Sequence, residues 1–306
     1  MTPNMTPDLS HNAPPPESTW QKVIRLLRWH KPAGRLILML PALWSVVAAS
    51  KSQQQLPPLQ MIVVVILGSL ATSAAGCVVN DLWDRDIDPQ VARTKNRPLA
   101  ERSLSIQVGI GVLIVATICA FLLSTYLTPL SFGLCFAAVP VIAVYPACKR
   151  FFAVPQLVLS IAWGFAVLIP WSAVTGNLDS YAWELWAAVI AWTMGFDTVY
   201  AMSDREDDLK VGVNSSALFF GKYVTFAIAI FLAIALSCLV WLGQDLQLGY
   251  AYYLACLTAA LIWTWQCKQL TQTEISTDFY QQAFGQNVWI GFIVLVGMFA
   301  SSLGIA

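Results

Sequence analysis

Asn80-Asp81-Leu82-Trp83-Asp84-Arg85-Asp86-Ile87-Asp88 is an acidic stretch that directly follows an apolar run at about 60–80. A second acidic stretch, Asp204-Arg205-Glu206-Asp207-Asp208, directly follows an apolar run at about 182–203. Each run has the roughly 20 residues that a membrane-spanning helix requires. Together with Asp197, the two stretches hold nine of the 17 carboxylates of the chain. The pattern predicts two membrane helices that each end in a concentration of negative charge.

The composition of the whole chain indicates a membrane protein. Of its 306 residues, 58% are hydrophobic and only 11% are charged, whereas a soluble domain carries about 25% charged residues. So few charges cannot cover the surface of a soluble globule. The composition therefore excludes a soluble enzyme, a disordered protein and a nucleic-acid-binding protein with a basic face. The chain has two histidines, His11 and His30, which disfavours a metal site built from histidine.

Apolar runs recur nine times along the chain. They lie at about 33–50, 60–80, 106–126, 128–145, 156–175, 182–203, 217–242, 249–267 and 286–305. We therefore predict an all-α integral membrane protein with nine transmembrane helices, in which residues 20–306 form a single domain. Residues 1–19 are polar and rich in proline, and we expect them to form a disordered tail.

The positive charges predict the orientation in the membrane. With nine helices, 16 of the 17 Lys and Arg residues fall on one side, and positively charged loops face the cytoplasm. The N-terminus and both acidic stretches are then cytoplasmic, and the C-terminus lies on the opposite side. Because residues 1–19 lack an Arg-rich amphipathic transit segment, we expect a bacterial plasma (inner) membrane or a thylakoid.

The spacing of the acids suggests a metal site. Asp81, Asp84 and Asp88 are spaced i, i+3, i+7, and Asp204 and Asp208 are spaced i, i+4. If the helices continue past the membrane edge, each set lies on one helix face. Such carboxylates repel one another unless a cation lies between them. Mg²⁺ prefers oxygen ligands and is typically held by one or two carboxylates plus substrate phosphates, although solvated helix ends remain an alternative for either set.

Other polar residues lie near the same membrane edge. Five basic residues could contact phosphate directly: Arg93, Lys95, Arg97, Lys149 and Arg150. Asp197 lies near membrane depth, where a polar residue is a functional candidate by default. Tyr145 and Lys149 form an i, i+4 pair at the end of the run at 128–145. An interfacial tyrosine and a snorkelling lysine would be the alternative interpretation of this pair.

The two acidic stretches resemble the NDxxDxxxD and DxxxD patterns of the UbiA-type intramembrane aromatic prenyltransferases. The similarity extends over about residues 22–300. Five further stretches look like the 4-hydroxybenzoate polyprenyltransferase branch of that family: Arg25–Gly34, Ala75–Asp81, Arg93–Leu99, Tyr145–Arg150 and Asp197–Asp204. The sequence departs from the family at Ala100-Glu101-Arg102, where a small residue followed by Ser-Gly is common.

The resemblance implies nine helices around a central cavity that opens sideways to lipid, and a reaction that depends on Mg²⁺. The implied metal ligands are Asp81, Asp84, Asp88, Asp204 and Asp208. The candidate substrate-binding residues are Arg28, Asn80, Arg93, Arg97 and Arg150, of which the last three come from the phosphate argument. The candidate catalytic residues are Tyr145, Lys149 and Asp197.

The expected reaction transfers a polyprenyl group from polyprenyl diphosphate to the ring carbon ortho to the hydroxyl of 4-hydroxybenzoate, in ubiquinone or plastoquinone biosynthesis. Homogentisate, a naphthoate or a tetrapyrrole are alternative acceptors. An ion-coupled transporter is an alternative of another class, but its acids would lie near the bilayer midplane, not at the cytoplasmic helix ends. We expect contact with membrane lipid, no nucleic-acid partner and no obligate protein partner.

Overall fold

The computed structural model describes residues 17–272 and 275–304, and the regular secondary structure in these ranges is helical. The helices are α1 (Thr19–Leu26), α2 (Ala33–Ser52), α3 (Leu59–Trp83), α4 (Ile106–Ser124), α5 (Pro129–Cys148), α6 (Pro155–Thr175), α7 (Ser180–Met202), α8 (Arg205–Val211), α9 (Ser216–Phe220), α10 (Val224–Asp245), α11 (Tyr250–Gln269) and α12 (Thr277–Ser302). Single turns of 3-10 helix occupy Asp88–Gln90 and Gly221–Tyr223.

The long helices coincide with the nine predicted apolar runs. Eight helical segments are long and apolar enough to span a membrane. The remaining long helix, α11, has 20 residues but is not among those eight; Gln266 and Lys268 make its end polar. The prediction of an all-α integral membrane protein is therefore confirmed, while the count of nine spanning helices stays a prediction.

The N-termini of several long helices follow from local sequence. The side chains of Ser105, Thr128 and Asp179 each accept a hydrogen bond from the backbone N–H three residues later, at the starts of α4, α5 and α7. Such caps satisfy N–H groups that lack a partner in the first helical turn. Pro129 and Pro155 occupy the first position of α5 and α6, where the missing proline N–H costs nothing.

The main core lies where α2, α6, α7, α10, α11 and α12 pack together. Trp44 stacks on Trp192 with ring centroids 4.9 Å apart, and Trp192 meets the edge of Phe196 at 5.3 Å. Asn287 Oδ1 accepts hydrogen bonds from Trp192 Nε1 at 2.8 Å and from Trp263 Nε1 at 2.9 Å. This buried polar group fixes three helices relative to one another at the back of the candidate site.

Neither membrane helix continues through the whole of its acidic stretch, so the condition under which each set of acids would share one face of that helix is not met. Helix α3 ends at Trp83, and Asp88 begins a separate 3-10 turn. Pro89 explains this break, because a proline ring inside an α-helix clashes with the carbonyl four residues earlier. Helix α7 ends at Met202, and Asp204 precedes the separate helix α8.

The predicted N-terminal tail falls largely on residues 1–16, which lie outside the described residues. At its other end, α1 already begins at Thr19 with Ser18 as its N-cap. Ser18 and Gln21 form a capping box, in which each side chain bonds to the backbone of the other. This short helix was not among the predicted runs, although Ser-x-x-Gln is the sequence signature of such a cap.

Candidate functional site

One cavity of about 1420 Å³ gathers most of the predicted site residues. Its lining includes Arg28, Asn80, Asp81, Asp84, Asp88, Arg93, Arg97, Tyr145, Lys149, Asp197, Asp204 and Asp208. Apolar residues of α2 to α7 and of α12 line much of its wall, among them Val65, Phe121 and Ile142. The cavity therefore has one charged end and a long apolar part.

Two of the predicted phosphate contacts, Lys95 and Arg150, do not line the cavity. Arg150 Nη2 donates to the carbonyl of Trp83 at 2.9 Å, and its Cζ lies 5.8 Å from the centre of the Trp83 ring. It lies 3.7 Å from Asp84 Oδ1. Arg150 therefore reaches the first acidic stretch from outside the cavity.

The first acidic stretch supplies three buried carboxylates: Asp81 is 1% exposed, Asp84 3% and Asp88 4%. Arg97 Nη1 lies 3.1 Å from Asp81 Oδ1 and 2.8 Å from Asp88 Oδ2. Arg28 Nη2 lies 2.5 Å from the same Asp81 oxygen. The carboxylates thus converge in space although no single helix carries them, because buried charges need partners.

Asp84 pairs with a lysine at the end of α5. Lys149 Nζ donates to Asp84 Oδ2 at 3.0 Å and lies 5.9 Å from the centre of the Tyr145 ring. Burial alone would lower the pKa of Lys149, but the proximity of Tyr145 and Asp84 outweighs it and raises the pKa above its usual value. Lys149 is therefore a permanent positive charge in the cavity.

The second acidic stretch faces the first through Arg93. Arg93 Nε lies 3.0 Å from both carboxylate oxygens of Asp204, and Nη1 donates to Tyr200 Oη at 3.3 Å. A second contact joins the same two segments: the backbone N–H of Ala92 donates to Asp207 Oδ2 at 3.1 Å. The segment after the first acidic stretch is thereby fastened to the second.

Asp208, in the second acidic stretch, has a raised pKa. Burial raises its pKa to about 6, and the negative charge of Asp204 acts in the same direction. A hydrogen bond with Ser215 opposes this shift. A cation near Asp204 and Asp208 would relieve their repulsion.

Arg28 is held in an uncommon backbone conformation. Its φ of 55° is left-handed, and it follows the end of α1, where Arg28 N donates to Arg25 O at 2.9 Å and Trp29 N donates to Ile24 O at 3.1 Å. These two hydrogen bonds form a Schellman motif, and glycine usually occupies the left-handed position of that motif. A larger side chain there costs about 1–2 kcal/mol. The ion pair with Asp81 holds Arg28 in place at the cavity.

The segment where the sequence departs from the family is strained at one residue. Arg102 has a φ of 62°, which explains why glycine is common at this position. Its Nη2 lies 2.6 Å from Asp86 Oδ1. Glu101 pairs with Arg25 at 3.2 Å, and Lys22 Nζ donates to the Ser103 carbonyl at 3.0 Å. The departure therefore ties this segment to α1.

Four acidic carboxylates of the cavity are paired with basic side chains, and the part of the chain that the structure describes contains no closed metal site. No group of three or more His, Cys, Asp or Glu side chains within the described ranges is arranged to hold a metal ion. Asp81, Asp84, Asp88 and Asp204 are instead paired with Arg or Lys. Mg²⁺ is usually held by one or two carboxylates plus phosphate oxygens. These oxygen donors therefore fit a cation that arrives together with a diphosphate.

Sequence reasoning missed two residues at this site. Tyr200 lies under the guanidinium of Arg93, 4.9 Å from ring centre to Cζ. Its position in the sequence, four residues before Asp204, was the available signal. Gln156 lines the cavity from the start of α6; a lone amide before an apolar run gave no comparable signal.

Comparison with known proteins agrees with this geometry. A family model described as the UbiA prenyltransferase family matches residues 38–302. A 4-hydroxybenzoate solanesyltransferase of Synechocystis sp. (strain ATCC 27184 / PCC 6803 / Kazusa) is 61% identical over 279 residues, which cover 91% of this chain and 94% of that protein. A 4-hydroxybenzoate octaprenyltransferase of Azoarcus sp. (strain BH72) is 38% identical over 274 residues, covering 90% and 94%.

Two solved structures share the fold. A UbiA homolog from Aeropyrum pernix K1 in its apo form has a TM-score of 0.74 at 22% identity, covering 86% of this chain and 96% of that one. A UbiA homolog from Archaeoglobus fulgidus bound to GPP and Mg²⁺ has a TM-score of 0.68 at 19% identity, covering 90% and 99%. At these identities the likeness concerns the fold alone.

Proposed function

The chain belongs to the UbiA prenyltransferase family, and on that premise we propose that it transfers a polyprenyl group from a polyprenyl diphosphate to 4-hydroxybenzoate. The observation that carries the proposal is the single cavity that joins two acidic motifs and a set of cationic side chains to an apolar wall. Such a cavity suits a substrate with a charged head and a long hydrocarbon tail. The relative at 61% identity carries the name of this reaction.

The charged end of the cavity suits the diphosphate. Five residues would hold a divalent cation, for which we propose Mg²⁺: Asp81, Asp84, Asp88, Asp204 and Asp208. When bound, the cation neutralises charge on the diphosphate. Asn80 lies at the same end of α3 and lines the cavity. Its amide suits a neighbouring phosphate or ligand oxygen.

The cationic side chains have a second role once the diphosphate binds. Arg93, Arg97 and Lys149 are paired with carboxylates. A diphosphate offers them charge-assisted hydrogen bonds of the same kind. We propose that these side chains exchange a carboxylate for a phosphate oxygen, which frees the carboxylates for the cation. Charge is then balanced both with and without substrate.

Bond breaking follows from this arrangement. The allylic C–O bond breaks, its electron pair leaves with the diphosphate, and positive charge develops on the prenyl carbon. Lys149 and Arg93 stabilise the leaving oxygen, and Tyr145 lies beside Lys149 at the cavity wall. The rings of Trp163 and Phe196, whose centroids lie 5.6 Å apart, line the cavity, exclude water and present π faces to a cation.

The acceptor completes the reaction. The ring carbon ortho to the hydroxyl attacks the prenyl carbon, and its proton then goes to a base. We propose Asp197 as that base, since it lines the cavity from α7. We propose Arg28 as the partner of the benzoate carboxylate, because among the described residues its Nη1 is held only by the weak acceptor Cys77 Sγ, at 3.0 Å.

The donor length and the membrane orientation extend the same proposal. Solanesyl is a nonaprenyl group, and the relative at 61% identity is a solanesyltransferase, whereas those near 38% are octaprenyltransferases. We therefore propose a nonaprenyl donor. The protein is an integral membrane protein. We propose that its charged cavity end faces the cytoplasm, from which the soluble acid would enter.

A reconstituted transfer assay tests the proposed function. Purified protein in lipid vesicles is given radiolabelled 4-hydroxybenzoate and geranyl, octaprenyl or nonaprenyl diphosphate. Label in the lipid phase, highest with the nonaprenyl donor, is the expected result. The Asp204→Asn variant, prepared in the same vesicles, is the matched control for transfer at this site. Transfer to homogentisate or a naphthoate instead of 4-hydroxybenzoate would refute the assigned acceptor, and no transfer to any acceptor would refute the reaction.

A further inference from the structure

Gln156 presents an unused hydrogen-bond donor at the wall of the cavity. Its side chain is only 8% exposed. Its Oε1 accepts the backbone N–H of Ser216 at 2.7 Å. This contact fixes the orientation of the amide, because only its oxygen can accept a hydrogen bond from an N–H. The nitrogen Nε2 must therefore point elsewhere.

Nε2 has no hydrogen-bond acceptor among the described residues. It is also absent from the fully enclosed polar atoms that lack a partner, so it keeps some accessible surface. Because Gln156 lines the cavity, that surface belongs to the cavity. A largely buried amide with one satisfied and one unsatisfied end is suited to an oxygen that arrives with a ligand.

The surroundings of Gln156 connect it to the reacting groups. Ser216 Oγ lies 2.8 Å from Thr198 Oγ1, and Thr198 follows Asp197 on α7. The backbone N–H of Asn214 donates to the Lys149 carbonyl at 2.7 Å. The segment at 214–216 is therefore fixed between Lys149 and α7, and Gln156 is attached to this segment. A substrate oxygen near Lys149 would thus lie in the part of the cavity that Gln156 borders.

We propose that Gln156 Nε2 donates a hydrogen bond to an anionic oxygen of a bound substrate. This inference rests on the proposed function and assigns it a further binding residue. The oxygen belongs either to the diphosphate of the donor or to the carboxylate or phenol of the acceptor. The donor and the acceptor each present an oxygen that can accept a hydrogen bond from the amide N–H. The KM values of the two substrates distinguish them.

The test compares Gln156→Glu with Gln156→Leu. The glutamate keeps an oxygen for the Ser216 N–H but replaces the donor with an acceptor, whereas the leucine removes both contacts. We expect both variants to raise the KM of one substrate about tenfold or more, as the loss of a hydrogen bond to a charged group does. A rise for the prenyl diphosphate assigns the oxygen to the donor, and a rise for 4-hydroxybenzoate assigns it to the acceptor.

The Ser216→Ala variant is the matched control for the loop. It removes the contact with Thr198 while leaving the Gln156 amide in place, so both KM values should stay within about twofold of wild type. If Gln156→Glu keeps both KM values and only Gln156→Leu loses activity, Gln156 merely supports the loop and the inference is wrong. The same holds if Ser216→Ala reproduces the KM change.

Equilibrium binding separates this inference from the proposed function. Binding of a prenyl thiolodiphosphate and of 4-hydroxybenzoate is measured calorimetrically for wild type and Gln156→Glu, without turnover. Wild-type protein that binds but transfers nothing to 4-hydroxybenzoate would refute the proposed function alone. A Gln156→Glu protein that is folded and binds both compounds like wild type would refute the role of Gln156 alone.

Discussion

Arg93 and Asp204 form a two-pronged ion pair, in which Arg93 Nε lies 3.0 Å from both carboxylate oxygens and Nη2 lies 2.5 Å from Oδ2. Arg93 follows the first acidic motif along the chain, and Asp204 begins the second. The pair therefore joins the two halves of the charged cavity end. Burial would lower the pKa of Arg93, but its contacts with Asp204 and Tyr200 outweigh this and raise the pKa, so Arg93 keeps its positive charge.

Replacing Asp204 tests the metal assignment. Asp204→Asn keeps the shape of the side chain but removes its charge, so it weakens both the pair with Arg93 and any bond to a cation. We expect transfer activity to fall at least about 100-fold, beyond the 10–100-fold cost typical of groups that only support a metal ligand. Activity is measured in vesicles, with thermal unfolding as the control for folding. An active variant would remove Asp204 from the proposed ligand set.

Two adjacent basic residues provide a matched pair. Lys149 lines the cavity and contacts Asp84 at 3.0 Å, whereas Arg150 lies outside the cavity wall and bonds to a backbone carbonyl. We expect Lys149→Met to lower kcat/KM for the prenyl diphosphate about 10–100-fold, as for a lost charged hydrogen bond. Arg150→Met should have a much smaller effect. Equal losses in the two variants would contradict the placement of Lys149 against the diphosphate.

The polar group at Asn287 predicts a stability effect. Asn287→Leu leaves the indole N–H groups of Trp192 and Trp263 without their acceptor. We expect a loss of about 2–6 kcal/mol in the free energy of unfolding, since two buried N–H groups lose their acceptor and each unpaired group costs about 1–3 kcal/mol. Denaturant unfolding in detergent measures this loss. Asn287→Asp keeps the acceptor oxygen, and if it proved no more stable than Asn287→Leu, the indole contacts would not be the cause.

The left-handed backbone of Arg102 predicts how substitutions there change the thermal midpoint. Its left-handed backbone favours glycine and opposes β-branched side chains. Arg102→Gly should retain or raise the thermal midpoint, because it removes a strain of about 1 kcal/mol and its ion pair with Asp86 is exposed. Arg102→Ile should lower the midpoint. The opposite order of the two variants would show that the ion pair, not the backbone, governs this segment.

The sequence predicted the helices well because each apolar run is long enough to span a bilayer. It also named most of the charged residues that line the cavity. The course of the chain after α3 was harder to predict, because the partners of Asp81 and Asp88 come from Arg28 and Arg97 in other segments. Pro89 was a local signal that α3 could not continue. Contacts between distant segments decided the rest.

The ion pairs themselves could not be predicted from spacing. The acids were expected to repel one another around a cation, and the structure pairs four of them with Arg or Lys side chains. The role of Gln156 could not be predicted either, because it depends on a hydrogen bond with Ser216, 60 residues away. A single sequence carries no record of such pairings. Only the folded chain shows which donors are already used.

The most direct test of the account is whether diphosphate binding depends on a divalent cation. Binding of geranyl thiolodiphosphate, which does not react, is measured by calorimetry with Mg²⁺ or with EDTA. We predict binding with Mg²⁺, little or none with EDTA, and affinity at least about tenfold weaker in Asp81→Asn and in Asp204→Asn. Equal affinity in Mg²⁺ and EDTA would contradict it, because the cationic side chains alone would then hold the diphosphate.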